Sequence, residues 1–127
     1  MAEILYEDEF VSLNEDYLIL KRYHVFPILK SKWVLVKNLR VLWFEDQLAA
    51  KYSIRKTWGR VADHDLYWAL DYRRCLPGNK AEGKADVVID IEDGLRKGFS
   101  VQDVQSFLAT LRSVAPNSLI VVDNLNI

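Results

Sequence analysis

One cysteine, Cys75, stands in 127 residues, so an internal disulfide is excluded and the core must hold by packing alone. Basic excess is missing too: 17 Lys and Arg face 18 Asp and Glu, a formal net charge of −1. That balance argues against a chain built to wrap nucleic acid, and no nucleic-acid partner is expected. No apolar run approaches the roughly 18 residues that cross a bilayer, so any membrane role is peripheral. The N-terminus lacks the basic-then-apolar order of a signal peptide, which makes the cytoplasm the expected compartment. Phosphate-cradling glycine loops, Cys-x-x-Cys pairs and nucleophile elbows are all lacking. No repeat, heptad or low-complexity tract is seen. What remains is half hydrophobic and 28% charged, the composition of one ordinary globular domain with a sizeable core.

The most readable stretch is Ala85–Ala115. Val87, Ile89 and Ile91 alternate with Asp86, Asp90 and Glu92, the period of a half-buried antiparallel strand. Asp93-Gly94 reads as a two-residue hairpin turn, with Leu95, Lys97 and Phe99 on the returning strand. Ser100-Val101-Gln102-Asp103 has capping-box spacing, which predicts Ser100 as the helix cap. Val104, Phe107, Leu108, Leu111 and Val114 form one helical stripe that Pro116 closes.

Upstream, Phe10–Leu13 reads as a weak first strand and Tyr17–Phe26 as a long second one that stops at Pro27. Lys30–Val36 and Leu39–Glu45 are the third and fourth, antiparallel neighbours across Lys37-Asn38. Asp46–Asp65 is a long connection, helical at Gln47–Lys51 or extended at Ser53–Trp58, with some local element in it. Leu66, Trp68, Leu70 and Tyr72 alternate as a fifth strand, and Arg73–Lys84 with Pro77-Gly78 is a loop. The last hairpin brings the count to seven strands. The apolar run after Pro116 is expected to dock on the chain's own sheet, or on that of a second copy in a homodimer.

The stretch Tyr17–Pro27 followed by Lys32–Leu39 resembles the second-to-fourth strand region of small pleckstrin-homology-like (PH-like) domains. Gly98-Phe99-Ser100 leading into Phe107-Leu108 and Leu111-Arg112 is similar to the final strand and helix of that group. The resemblance implies a mainly β (α+β) fold over residues 1–116: a seven-stranded antiparallel barrel or orthogonal sandwich capped by one amphipathic helix, with residues 117–127 as an apolar tail. It also implies a headgroup site at three loops, here Asn14-Glu15-Asp16, Lys37-Asn38 and Asp93-Gly94. Their acidic character opposes phosphate and departs from the lipid-binding pattern.

Basic residues gather elsewhere, at Lys30, Lys32, Lys51, Arg55, Lys56, Arg60, Arg73, Arg74, Lys80 and Lys84. Arg55, Lys56, Trp58, Arg60, Arg73 and Arg74 form the candidate binding set, with Trp58 expected to be partly exposed; the bland alternative is a solvated charged surface. Trp43 and Trp68 belong to the core on their alternation. Catalysis finds little support. His24 lies in a strand, the neighbours in Asp63-His64-Asp65 point apart, and Cys75 has basic neighbours but no histidine base. No metal or cofactor is implied. The expectation is a non-catalytic module for a protein partner; the alternatives are an anionic membrane surface reached through basic loops and, third, an unrecognised small enzyme.

Overall fold

The structure is a computed structural model that describes residues 3–49, 54–76 and 82–127; the expectations for Ala50–Lys51, Ser53, Pro77-Gly78 and Lys80 lie outside them. Side-chain caps in the turns set up the first sheet. Asp8 Oδ1 accepts from the N–H groups of Phe10 and Val11 at 2.7 and 3.0 Å. Asn14 Oδ1 accepts from Asp16 and Tyr17 at 2.8 and 2.7 Å. These Asx turns reverse the chain twice, giving β1 (Tyr6–Glu7), β2 (Val11–Leu13) and β3 (Tyr17–His24), with β4 (Lys30–Leu35) completing an antiparallel meander.

The second sheet is mixed. Its strands are β5 (Val41–Asp46), β6 (Gly59–Val61), β7 (Leu66–Trp68), β8 (Ala85–Asp90), β9 (Arg96–Val101) and β10 (Ile120–Val122), in the spatial order β10-β5-β8-β9-β7-β6. β10 runs parallel to β5, and β7 runs parallel to β9. The helix α1 (Val104–Val114) follows β9. Leu18, Leu20 and Val34 of the first sheet meet Leu42, Val87, Ile89 and Phe99 of the second, together with Val104, Phe107, Leu108 and Leu111 of α1, in one core. A smaller cluster of Leu66, Trp68, Val88 and Leu125, flanked by half-buried Trp43, gathers around the second sheet as well. β8 is therefore buried on alternate residues of both kinds, Val87 in one cluster and Val88 in the other.

The mainly β fold with one C-terminal helix is as expected, but the seven-stranded, all-antiparallel arrangement is not found: the strands form two sheets that do not close into a barrel, two pairings are parallel, and ten strands are described. β4 and β5 are not neighbours, because Val36–Asn38 is a single turn of 3-10 helix that carries the chain from one sheet to the other. The fifth strand stops at Trp68, and Tyr72 is exposed. The hairpin of β8 and β9 pairs Ala85 with Val101 and Ile89 with Lys97, which centres the reversal on Asp93. Glu92 and Gly94 on either side hold positive φ, and Asp90 Oδ1 accepts from Glu92 N–H at 2.7 Å. That capped, longer turn replaces the two-residue turn. Ser100 does not cap α1: β9 runs on through it to Val101, and Asp103 caps instead, accepting from Ser106 N–H at 3.1 Å. The apolar tail is an integral piece of the second sheet, with Ile120 opposite Val41 and Leu125 fully buried. Among the described residues, no helix is long and apolar enough to cross a membrane.

Candidate functional site

Asp86, the second residue of β8, is the hub of a buried ion network. Its Oδ1 accepts from Arg74 Nε at 3.1 Å and from Gln47 Nε2 at 2.7 Å, and its Oδ2 accepts from Arg55 Nε. Arg55 also donates to Glu45. Arg74, itself buried, donates through Nη1 to the carbonyls of Lys56 at 2.6 Å and Ala69 at 3.1 Å, and through Nη2 to Ser100 Oγ at 3.1 Å. Its guanidinium lies 4.4 Å from the Trp68 ring centroid. Ser100 Oγ donates to Asp71 Oδ2 at 2.6 Å, and Lys84 Nζ reaches the same oxygen at 3.0 Å. The carboxylates of Glu45, Asp71 and Asp86 thus face the cations of Arg55, Arg74 and Lys84 in a neutral cluster. Such a cluster is a clamp, because each charge is held by an opposite one and by further hydrogen bonds.

Burial pulls the Arg74 guanidinium below its ordinary value, while Asp86 and Asp71 work against that shift. Burial pushes the Asp71 carboxyl up, but the hydrogen bond from Ser100, the charge of Arg74 and the Lys84 contact outweigh it, and the net direction is down. A carboxylate held below its unfolded value stabilises the fold above the unfolded pKa and loses that contribution as pH falls through the folded one. The urea midpoint should therefore decline as pH drops below about 4, the ordinary aspartate value. An Asp71→Asn variant, lower in stability at neutral pH, should show a shallower decline; an identical acid limb in both proteins would remove Asp71 from the account.

The six sequence candidates do not form one patch. Arg55 and Arg74 are in the clamp, where Arg74 has no route to an external ligand. Lys56 Nζ donates to the Arg60 carbonyl at 2.8 Å, and Arg60 pairs with Asp65 at 3.2 Å. Arg73 is exposed beside a cleft of about 320 Å³, with Arg22, Asp71, Tyr72 and Lys84 on its walls. Trp58 is 37% exposed, as expected, whereas Trp68 is fully buried and Trp43 only half-buried. Asp63-His64-Asp65 belongs to a turn in which both aspartates hold positive φ. Among the described residues, no group of three His, Cys, Asp or Glu could hold a metal ion.

A different surface stands out. The tip of the β3–β4 hairpin exposes Phe26-Pro27-Ile28-Leu29 in an unbroken run, with Phe26 at 82%, Ile28 at 59% and Leu29 at 57%. The His24–Lys30 pair closes the loop behind it, after a register shift between Leu20 and His24 and a positive φ at Arg22. Farther down the hairpin, Trp33 is 59% exposed and meets Tyr17 edge-on at 5.2 Å. Scattered exposed apolar side chains are ordinary, but four consecutive ones at a projecting tip are not. The sequence carried a signal for this surface that the candidate set passed over: from Tyr17 to Phe44 there is no Asp or Glu, while Lys21, Arg22, Lys30, Lys32, Lys37 and Arg40 all fall there.

Comparison of the chain with family models, with curated proteins and with solved structures gives no match.

Proposed function

We propose that this chain is a non-catalytic interaction module that docks onto a macromolecular partner through the tip of its β3–β4 hairpin. The observation that carries the reading is the run Phe26–Leu29, apolar and exposed at the point where the hairpin projects. Leaving such side chains in water forgoes about 1.5–3 kcal/mol apiece relative to burying them, which a docking partner recovers. The ionised groups of the interior support the same view, since the clamp around Asp86 neutralises its acids and bases against each other. The PH-like resemblance agrees by analogy: a β scaffold that presents its inter-strand loops to a partner.

A photo-reactive side chain tests this. p-Benzoylphenylalanine in place of Ile28, in cells that express the full chain, should yield a covalent adduct on illumination. The same group in place of Ser113, exposed on α1, should not. Absence of any adduct from position 28, or equal labelling from both positions, would end the docking reading.

A further inference from the structure

We infer that the docking partner is an anionic lipid bilayer, entered by Phe26, Ile28 and Leu29 and held at its headgroups by Lys30 and Lys32. This rests on the docking reading above and names its partner. Order along the hairpin is the first argument. The apolar residues occupy the outermost positions, Lys30 stands at the base of the loop opposite His24, and Lys32 and Trp33 follow on β4. A strand advances about 3.3 Å per residue, so Leu29 to Trp33 spans about 13 Å. Apolar side chains first, then basic and aromatic ones, is the order in which a leaflet changes from hydrocarbon to headgroup. Trp33, exposed but resting edge-on against Tyr17, has the amphipathic ring that settles at that boundary.

Charge is the second argument. The chain carries a formal net charge of −1, yet the segment Tyr17–Phe44 has no acidic residue. Lys21 is paired with Glu7, Arg22 with Glu9 and Arg40 with Glu92. Among the described residues no ion pair reaches Lys30, Lys32 or Lys37. Of the six cations in this segment, the three without an ion pair thus lie on β4 and just beyond it, two of them within a few residues of the tip. A negative surface complements that arrangement, and each lysine near an anionic leaflet contributes about a fivefold gain in binding at low salt. The surface is distinct from the loops Asn14–Asp16 and Asp93-Gly94, whose carboxylates repel phosphate.

Flotation of the full chain with vesicles decides the matter. It should bind vesicles of phosphatidylcholine mixed with phosphatidylserine, and bind pure phosphatidylcholine far less. Raising salt from about 0.1 M to about 1 M shortens the screening length from about 10 Å to about 3 Å and should release most of the bound protein. Phe26→Ser with Ile28→Ser should weaken binding at least about 100-fold, and Lys30→Gln with Lys32→Gln about 30-fold. All four side chains lie outside the core, so circular dichroism melts should match the parent. Brominated lipid should quench Trp33 fluorescence in the bound state, read against a Trp33→Phe variant. Equal binding to both vesicle types, or full binding by the Phe26/Ile28 variant, would overturn the inference. If vesicles fail while position 28 yields a protein adduct, the bilayer is wrong and the docking module stands; if both fail, both readings fall.

Discussion

An Asp86→Ala variant should unfold at a far lower urea concentration than the parent, with a loss of about 3–5 kcal/mol. A domain of ordinary stability has about 5–15 kcal/mol in total, so this one carboxylate decides a large share. The reason lies in what the substitution strands. Arg74 has no solvent to retreat into, and Arg55 loses the carboxylate that its Nε meets. Gln47 Nε2 loses its nearer acceptor and keeps only Ser100 Oγ at 3.4 Å. Adding Arg74→Met removes one stranded cation, so the double variant should be more stable than the sum of the single losses predicts, by more than about 1 kcal/mol. Denaturant curves on the four proteins of the cycle measure this. A single-variant loss below about 1 kcal/mol, or strict additivity, would show that the cluster is not coupled.

Gly98→Ala should be nearly as damaging for an opposite reason, excess matter in place of missing charge. Gly98 lies opposite Trp68 in the parallel pairing of β7 and β9. A Cβ at position 98 would sit 2.4–2.7 Å from three atoms of that indole, well inside contact distance. The ring cannot swing aside cheaply. Its Nε1 donates to the Ile54 carbonyl at 3.1 Å, Arg74 lies over its face, and it is fully buried. Overpacking of this kind costs about 1–3 kcal/mol, and a ring fixed on several sides belongs at the upper end. Near-ultraviolet circular dichroism should change together with the urea midpoint. Trimming the ring in a Gly98→Ala, Trp68→Phe double variant should return part of the loss relative to Trp68→Phe alone. A Gly98→Ala protein with the parent's midpoint would refute the contact.

Local chemistry was legible and tertiary cover was not. The stripe Val104–Leu111 and the strands around Asp93 follow from spacing, and they are where the spacing puts them. The turn escaped because two side-chain caps, from Asp90 and Asp93, support a longer reversal that no dipeptide preference reveals. Ser100 and Asp103 both offered oxygen at capping positions; which one caps depends on where β9 ends, and the Asp71 and Arg74 partners of Ser100 keep it in the strand. Alternation assigned Asp86 to a solvent face. That face is covered by segments around Arg55 and Arg74, whose own sequence shows only charge and loop character. An arginine that closes a clamp and one that awaits a ligand look alike in a sequence until the neighbouring strands are known. The hairpin tip failed differently: Pro27 reads as a stop, Phe26 as the end of a strand, and Ile28-Leu29 fall between two strands with nothing to mark them as a surface.

The place of β10 bears on how the chain comes to be folded at all. The first sheet needs nothing beyond Leu35, whereas the second lacks its outermost strand beside β5 until Val122 has been added. At 5–20 residues per second, roughly 4–17 s of synthesis separate those two points. For most of that interval Leu13, Leu18, Leu20 and Val34 lack the strands and helix that will shield them. A meander formed before the second sheet would present two apolar surfaces, one permanent at its tip and one on the inner face that the second sheet and α1 later cover. A chaperone that holds exposed apolar chain would find the second surface only before β8, β9 and α1 are packed on it.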